Sequence, residues 1–115
     1  MQTFMQAIAR QEGFYTAGTL ASRRNNPGNI IEGAFARTHG ALHTDGSRFA
    51  AWSSADLGFA AMRELLTMGY MGLSVAQAID KWAPQVENDT NNYIKDVCLW
   101  TGLTPETVLT AGNIG

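Results

Sequence analysis

No helix or strand can run unbroken through residues 23–30, "RRNNPGNI". Asn tolerates left-handed backbone, Pro locks φ and lacks an N–H, and Gly accepts positive φ. The chain is therefore cut into a short N-terminal piece and a long remainder. In the first piece Thr3 and Gln6 form a Thr-x-x-Gln capping box. Phe4 and Ile8 follow at helical spacing, so a helix is predicted over 4–12, with Gly13 placed to end it.

After the break, "IIEGAFARTHGALHTDGSRFAAW" reads as short extended pieces separated by glycines. Its Asp-Gly pair suits a hairpin turn. Helical signals then return. Ser53 and Asp56 make a second capping box, and Leu57, Ala61, Leu65 and Met68 form an apolar line. Ser74 and Gln77 open a third helix. Thr90 caps a fourth, with Tyr93, Val97 and Trp100 on one stripe and Gly102 at its end. Thr104 and Pro105 start a short last helix, and "TAGNIG" reads as a disordered tail. The order predicts one predominantly helical α+β domain over 1–115, with a small β-hairpin region inserted after the first helix.

Composition agrees with a single packed domain. The chain has 115 residues, 45% hydrophobic and 16% charged, which is core-forming. Cys98 is the lone cysteine, so no internal disulfide is possible, as suits a reducing cytoplasm. Within "YIKDVCLW" it reads as a buried helix residue. Only His39 and His43 could join it as metal ligands, and both lie in a strand-like stretch, so no metal or cofactor is expected. The apolar runs are too short to span a bilayer. "MQTFMQAIARQ" lacks the basic and apolar regions of a secretory signal, so synthesis in the cytoplasm is expected. A net charge of -2 and a single adjacent basic pair, Arg23 and Arg24, argue against general nucleic-acid binding.

One residue is out of place on the first helix. Glu12 continues the Phe4–Ile8 stripe toward the core. Partial burial and the negative end of the helix both disfavour a carboxylate there, which is the setting a general acid needs. Alternatively, Glu12 lies at the stripe's edge and reaches solvent, or pairs with Arg10, Arg23 or Arg24. Asn25, Asn26 and Asn29 are amides that hydrogen-bond without titrating. They suit sugar hydroxyls and N-acetyl groups, and they suit turns. Further on, Trp82, Asn88, Asp89, Asn91 and Tyr93 put aromatic faces beside amides and hydroxyls. This reads as a carbohydrate groove or, for the aromatics, as core. Two-acid glycosidases need a second carboxylate at a defined separation. Asp45, Glu32 and Asp89 each have a local turn or cap explanation, so Glu12 stands out, with Asp45 as the possible second acid.

"AIARQEGF", "RRNNPGNI", "SRFAAWSSADLGFAAM" and "KWAPQVENDTNNYIKDV", in that order over residues 4–103, resemble small phage and prophage muralytic domains. These belong to the lysozyme superfamily, on the lytic transglycosylase and goose-type lysozyme side. The resemblance implies a lysozyme-like fold and cleavage of the β-1,4 bond from N-acetylmuramic acid to N-acetylglucosamine in peptidoglycan. It implies Glu12 as the catalytic acid, and Tyr93, in its Thr-x-x-Tyr context, as the tyrosine approaching that acid. Asn25, Asn26 and Asn29 would line the cleft, Phe49 and Trp52 would stand near one wall, and Trp82, Asn88 and Thr90 would meet the substrate. Without a convincing second acid, a transglycosylase-like route on Glu12 alone is favoured over a two-acid muramidase; Asp45 would reverse that. The implied partner is the glycan strand, met by a monomer acting as an endolysin or within a virion. The alternative is a catalytically silent glycan-binding component of a virion or secretion apparatus.

Overall fold

The computed structural model describes residues 1–44 and 46–115. Helix α1 (Phe4–Gln11) starts where its capping box puts it. Gln6 N donates to Thr3 Oγ1 at 3.1 Å, and Thr3 N donates to Gln6 Oε1 at 3.0 Å. Glu12 is its C-cap residue, and Gly13, at φ +85°, turns the chain away. A short α2 (Leu20–Arg23), not foreseen in the sequence, is capped by Thr19 and leads into the Asn-rich loop. The remaining helices are α3 (Ala34–Thr38), α4 (Ala55–Gly69), α5 (Val75–Trp82), α6 (Thr90–Thr101) and α7 (Ala111–Ile114).

The expected lysozyme-like α+β fold with a β-hairpin is not what forms. About 49% of the chain is helical and 4% strand, and the described residues contain no sheet. Among the described residues, pairing is confined to two isolated antiparallel bridges, Ile31 with Phe49 and Ser74 with Val108. The physical reason lies in "AFART". It has no β-branched residue before Thr38, and Ala and Arg favour helix. It therefore coils into α3, burying Ala36 completely and stacking Phe35 on His39 one turn later, with ring centroids 4.0 Å apart. The Asp-Gly turn expected at Asp45 falls outside the described residues.

Three other expectations shift. The buried face of α4 is Gly58, Ala61, Met62 and Leu66, while Leu57 and Met68 are exposed. Gly58 decides this. A Cβ there would collide with the carbonyl oxygen of Asn25, so the helix backbone lies directly against the Asn-rich loop. Residues 105–107 form no helix, and Ser74 pairs with Val108 instead. The tail forms α7, with a Thr110–Asn113 capping box and a fully buried Ile114. Two caps also move by one residue, from Ser53 to Ser54 and from Thr90 to Asp89.

Helix α1 sits at the centre, packed on α6, α4 and α7, with α5 packed on α6. Phe4, Ile8, Trp52, Met62, Leu66, Ile79 and Val97 form the heart of the core. Burying such side chains is worth about 1.5–3 kcal/mol each. No helix among the described residues is long and apolar enough to cross a membrane.

Candidate active site

The α1–α6 packing brings Glu12 and Tyr93 together. Glu12 ends α1 at a half-buried position, and Tyr93 lies in the first turn of α6 with 3% of its surface exposed. The Tyr93 hydroxyl donates to Glu12 Oε2 at 2.7 Å. Burial, then the Glu12 charge and the hydrogen bond to it, push the Tyr93 phenol well above its usual 10. It therefore stays a neutral hydroxyl.

The other carboxylate oxygen is held from the Asn-rich loop. Asn29 Nδ2 donates to Glu12 Oε1 at 3.0 Å and makes a longer bond, 3.4 Å, to the Glu12 backbone carbonyl. The double contact fixes which end of the amide faces the acid. The Asn29 Oδ1 atom is buried with no hydrogen-bond partner among the described residues, a costly arrangement that marks the site as under local constraint. The two contacts on Glu12 differ in kind. An amide N–H can only donate, whereas a hydroxyl donates to a carboxylate and accepts from a carboxylic acid. Tyr93 can therefore partner Glu12 in both protonation states.

The loop is held rigidly enough to place Asn29. Asn26 is fully buried. Its Nδ2 donates to the carbonyls of Ile30 and Ala50, both at 2.9 Å, and its Oδ1 accepts from Ile30 N at 2.8 Å. Asn25 Nδ2 donates to the Trp52 carbonyl at 3.1 Å. Asn25 and Asn29 both adopt left-handed backbone, at φ 51° and 48°, which Asn tolerates better than most residues.

A cleft of about 490 Å³ opens over this arrangement, lined by Glu12, Asn29, Phe49, Trp82 and Asn88 among others. A smaller, more apolar cavity of about 290 Å³ adjoins it, sharing Gly28, Asn29, Ile31 and Trp82 and reaching Phe35, Leu65 and Tyr70. Trp82 is the common wall. Its ring lies so close to Gly28 that a Cβ there would come within 2.7 Å of it.

The structure thus gathers Glu12, Asn29, Phe49, Trp82 and Asn88 at one cleft, with Tyr93 buried and joined to it through its hydrogen bond to Glu12. It does not bring the other candidates there. Asn25 and Asn26 brace the loop. Trp52 is 1% exposed in the core, with its indole N–H donating to the His39 carbonyl at 2.9 Å. Thr90 is buried, and its hydroxyl ties to the Ala83 carbonyl at 2.6 Å. Asp89 caps α6. Arg10 lies over the Trp100 ring at 4.0 Å, and Arg24 donates to the Phe49 carbonyl at 3.4 Å. Asp45, the possible second acid, is outside the described residues. The sequence reading passed over Arg48 and Glu87, which also line the cleft. Their only signal was adjacency, Arg48 to Phe49 and Glu87 to Asn88.

No protein-family profile matches the chain, and no curated protein matches it at a significant level.

Proposed function

We propose that this protein cleaves peptidoglycan at the β-1,4 bond between N-acetylmuramic acid and N-acetylglucosamine, with Glu12 as general acid and base. The observation that carries the reading is the two-sided hold on the Glu12 carboxylate, by Tyr93 and Asn29, at the edge of an open cleft. The resemblance of its ordered motifs to those of muralytic domains supplies the substrate class.

In this mechanism protonated Glu12 gives its proton to the glycosidic oxygen as the C1–O bond breaks. Positive, oxocarbenium-like charge develops at C1. The resulting carboxylate then accepts a proton from the nucleophile. Water would give a reducing end; the 6-hydroxyl of the same sugar would give a 1,6-anhydro end. Asn29 holds the carboxyl against rotation, and Tyr93 serves it before and after proton transfer. Trp82 and Phe49 offer ring faces to the sugars, and Asn88 an amide. A single acid is enough for the anhydro route, and that is the route we assign. The protein works as a monomer on glycan strands, carried to the wall by a phage particle or released with help from a partner.

Digestion of purified peptidoglycan by wild type and by Glu12→Gln, read by mass spectrometry, tests this. Fragments from wild type alone support the reading, and the anhydro end is recognised as one water lighter than the reducing end. A wild-type protein that sediments with the wall yet releases nothing overturns it in favour of a silent glycan-binding component.

A further inference from the structure

We infer that Arg48 is the residue by which this cleft selects glycans that carry carboxylates, and that Glu87 occupies it in the free protein. The inference rests on the glycan-cleaving reading and names the feature of the substrate that the same cleft would recognise.

Among the described residues lining the cleft, Arg48 is the one cation, and the same lining holds two acids, Glu12 and Glu87. Cleavage at C1 develops positive charge, so a guanidinium contributes nothing to that step; its place in the cleft suits binding of an anion instead. The free protein already shows how an anion sits there. Arg48 Nη2 lies 3.6 Å from Glu87 Oε2, with the side chains 62% and 61% exposed. The separation is longer than a hydrogen bond, and exposed pairs of this kind contribute little. A carboxylate that approached Arg48 in fork geometry would displace Glu87 and gain a stronger, directional contact.

The guanidinium is also partly placed in advance. Its carbon lies 5.3 Å from the Phe49 ring centroid, and the backbone carbonyl of Arg48 accepts from Glu32 N at 2.9 Å. Phe49 and Arg48 line the cleft together, so a sugar held in it lies beside the guanidinium. With a net charge of -2, the chain as a whole does not attract a polyanion, so attraction must come from a local cation. A muramoyl strand offers two sources of the same chemistry. One is the 3-O-lactyl carboxylate, free where the peptide has been removed; the other is the set of carboxylates on an attached peptide.

The test compares kcat/KM on four strands: peptide-bearing, peptide-stripped, and each of these with its carboxyls amidated to neutrality. Wild type is expected to favour the charged strand over its amidated twin by about tenfold, the scale of one charge-assisted hydrogen bond. Arg48→Gln should bring that ratio close to one, through KM rather than kcat. Arg48→Lys should keep part of it. Glu87→Gln, which frees the guanidinium, should raise it. Selectivity on the peptide-stripped strands assigns the lactyl carboxylate; selectivity confined to peptide-bearing strands assigns the peptide. A wild-type ratio that Arg48→Gln leaves unchanged overturns the assignment to Arg48 while leaving the lytic reading in place. A wild-type protein that cuts none of the four overturns the lytic reading itself.

Discussion

The Tyr93 hydroxyl lies 2.7 Å from Glu12 Oε2 although 81 positions separate the two residues in sequence. The contact joins the C-terminal end of α1 to the first turn of α6, so the helix pair at the centre of the core also sets the geometry of the acid. Packing and chemistry are coupled at this point, and substitutions on either side of the contact separate them.

Glu12→Gln should abolish fragment release, by a factor of about 10²–10⁴ as for the loss of a general acid. It should fold normally. A Gln oxygen can accept from Asn29 while its amide N–H donates to Tyr93, so both contacts survive. Thermal unfolding within a few degrees of wild type alongside lost activity is the expected pair of results; a collapsed melting temperature would contradict the isosteric argument.

Tyr93→Phe keeps the buried ring and removes the hydroxyl. Glu12 Oε2 then loses a donor in a half-buried position, a cost of about 1–3 kcal/mol. Activity should fall by a larger factor than the loss of stability explains, because the Asn29 N–H cannot accept a hydrogen bond from the protonated acid. Urea unfolding together with digestion rates at matched folded fraction checks this, and an unchanged rate would remove Tyr93 from the mechanism.

Alkaline pH should expose the same contact. The folded Tyr93 phenol titrates well above its unfolded value of 10 because of burial first and Glu12 second. Its contribution is fully present below pH 10. It declines as pH rises above that value, because the unfolded chain releases this proton first. The slope from one such group is at most about 1.4 kcal/mol per pH unit. Between pH 9 and 11, Tyr93→Phe should lose stability less steeply than wild type, with Tyr15 and Tyr70, also raised by burial, contributing equally to both. Equal slopes would show that Tyr93 does not titrate on unfolding.

Asn29 separates backbone from side chain. At φ 48°, Asn29→Gly removes the donor without backbone strain, whereas Asn29→Ala adds about 1 kcal/mol of left-handed strain. The two variants should show similar losses of activity and different stabilities, measured by digestion and urea midpoints. Activity kept in the Gly variant would mean that the amide does not hold the acid.

Gly58→Ala reaches the site from outside it. The new methyl would strike the Asn25 carbonyl and press on the loop that carries Asn29. A destabilisation of about 2–3 kcal/mol is expected, as for overpacking against backbone. Thermal denaturation measures it, and a change of under a degree would show that α4 can shift away.

Much of this protein follows from local sequence. The Thr3–Gln6 and Ser74–Gln77 capping boxes start α1 and α5 where the pattern puts them, because a cap needs only residues within one turn. Gly102 ends α6 in left-handed backbone for the same reason. Glu12 was visible as an anomaly on an apolar stripe. The β-hairpin expectation fails at "AFART", whose helix preference is itself local and legible. Tertiary structure decided the rest. Which face of α4 is buried depended on the approach of Asn25 to Gly58, a contact between residues 33 positions apart. Among three neighbouring asparagines, Asn26 became scaffold and Asn29 met the acid, because the Ile30 and Ala50 carbonyls engaged one and Glu12 the other. Arg48 and Glu87 had nothing in their own neighbourhoods to link them. Hydrogen-bonding capacity is written in a side chain, but its partner is chosen by packing, and packing is a property of the whole chain.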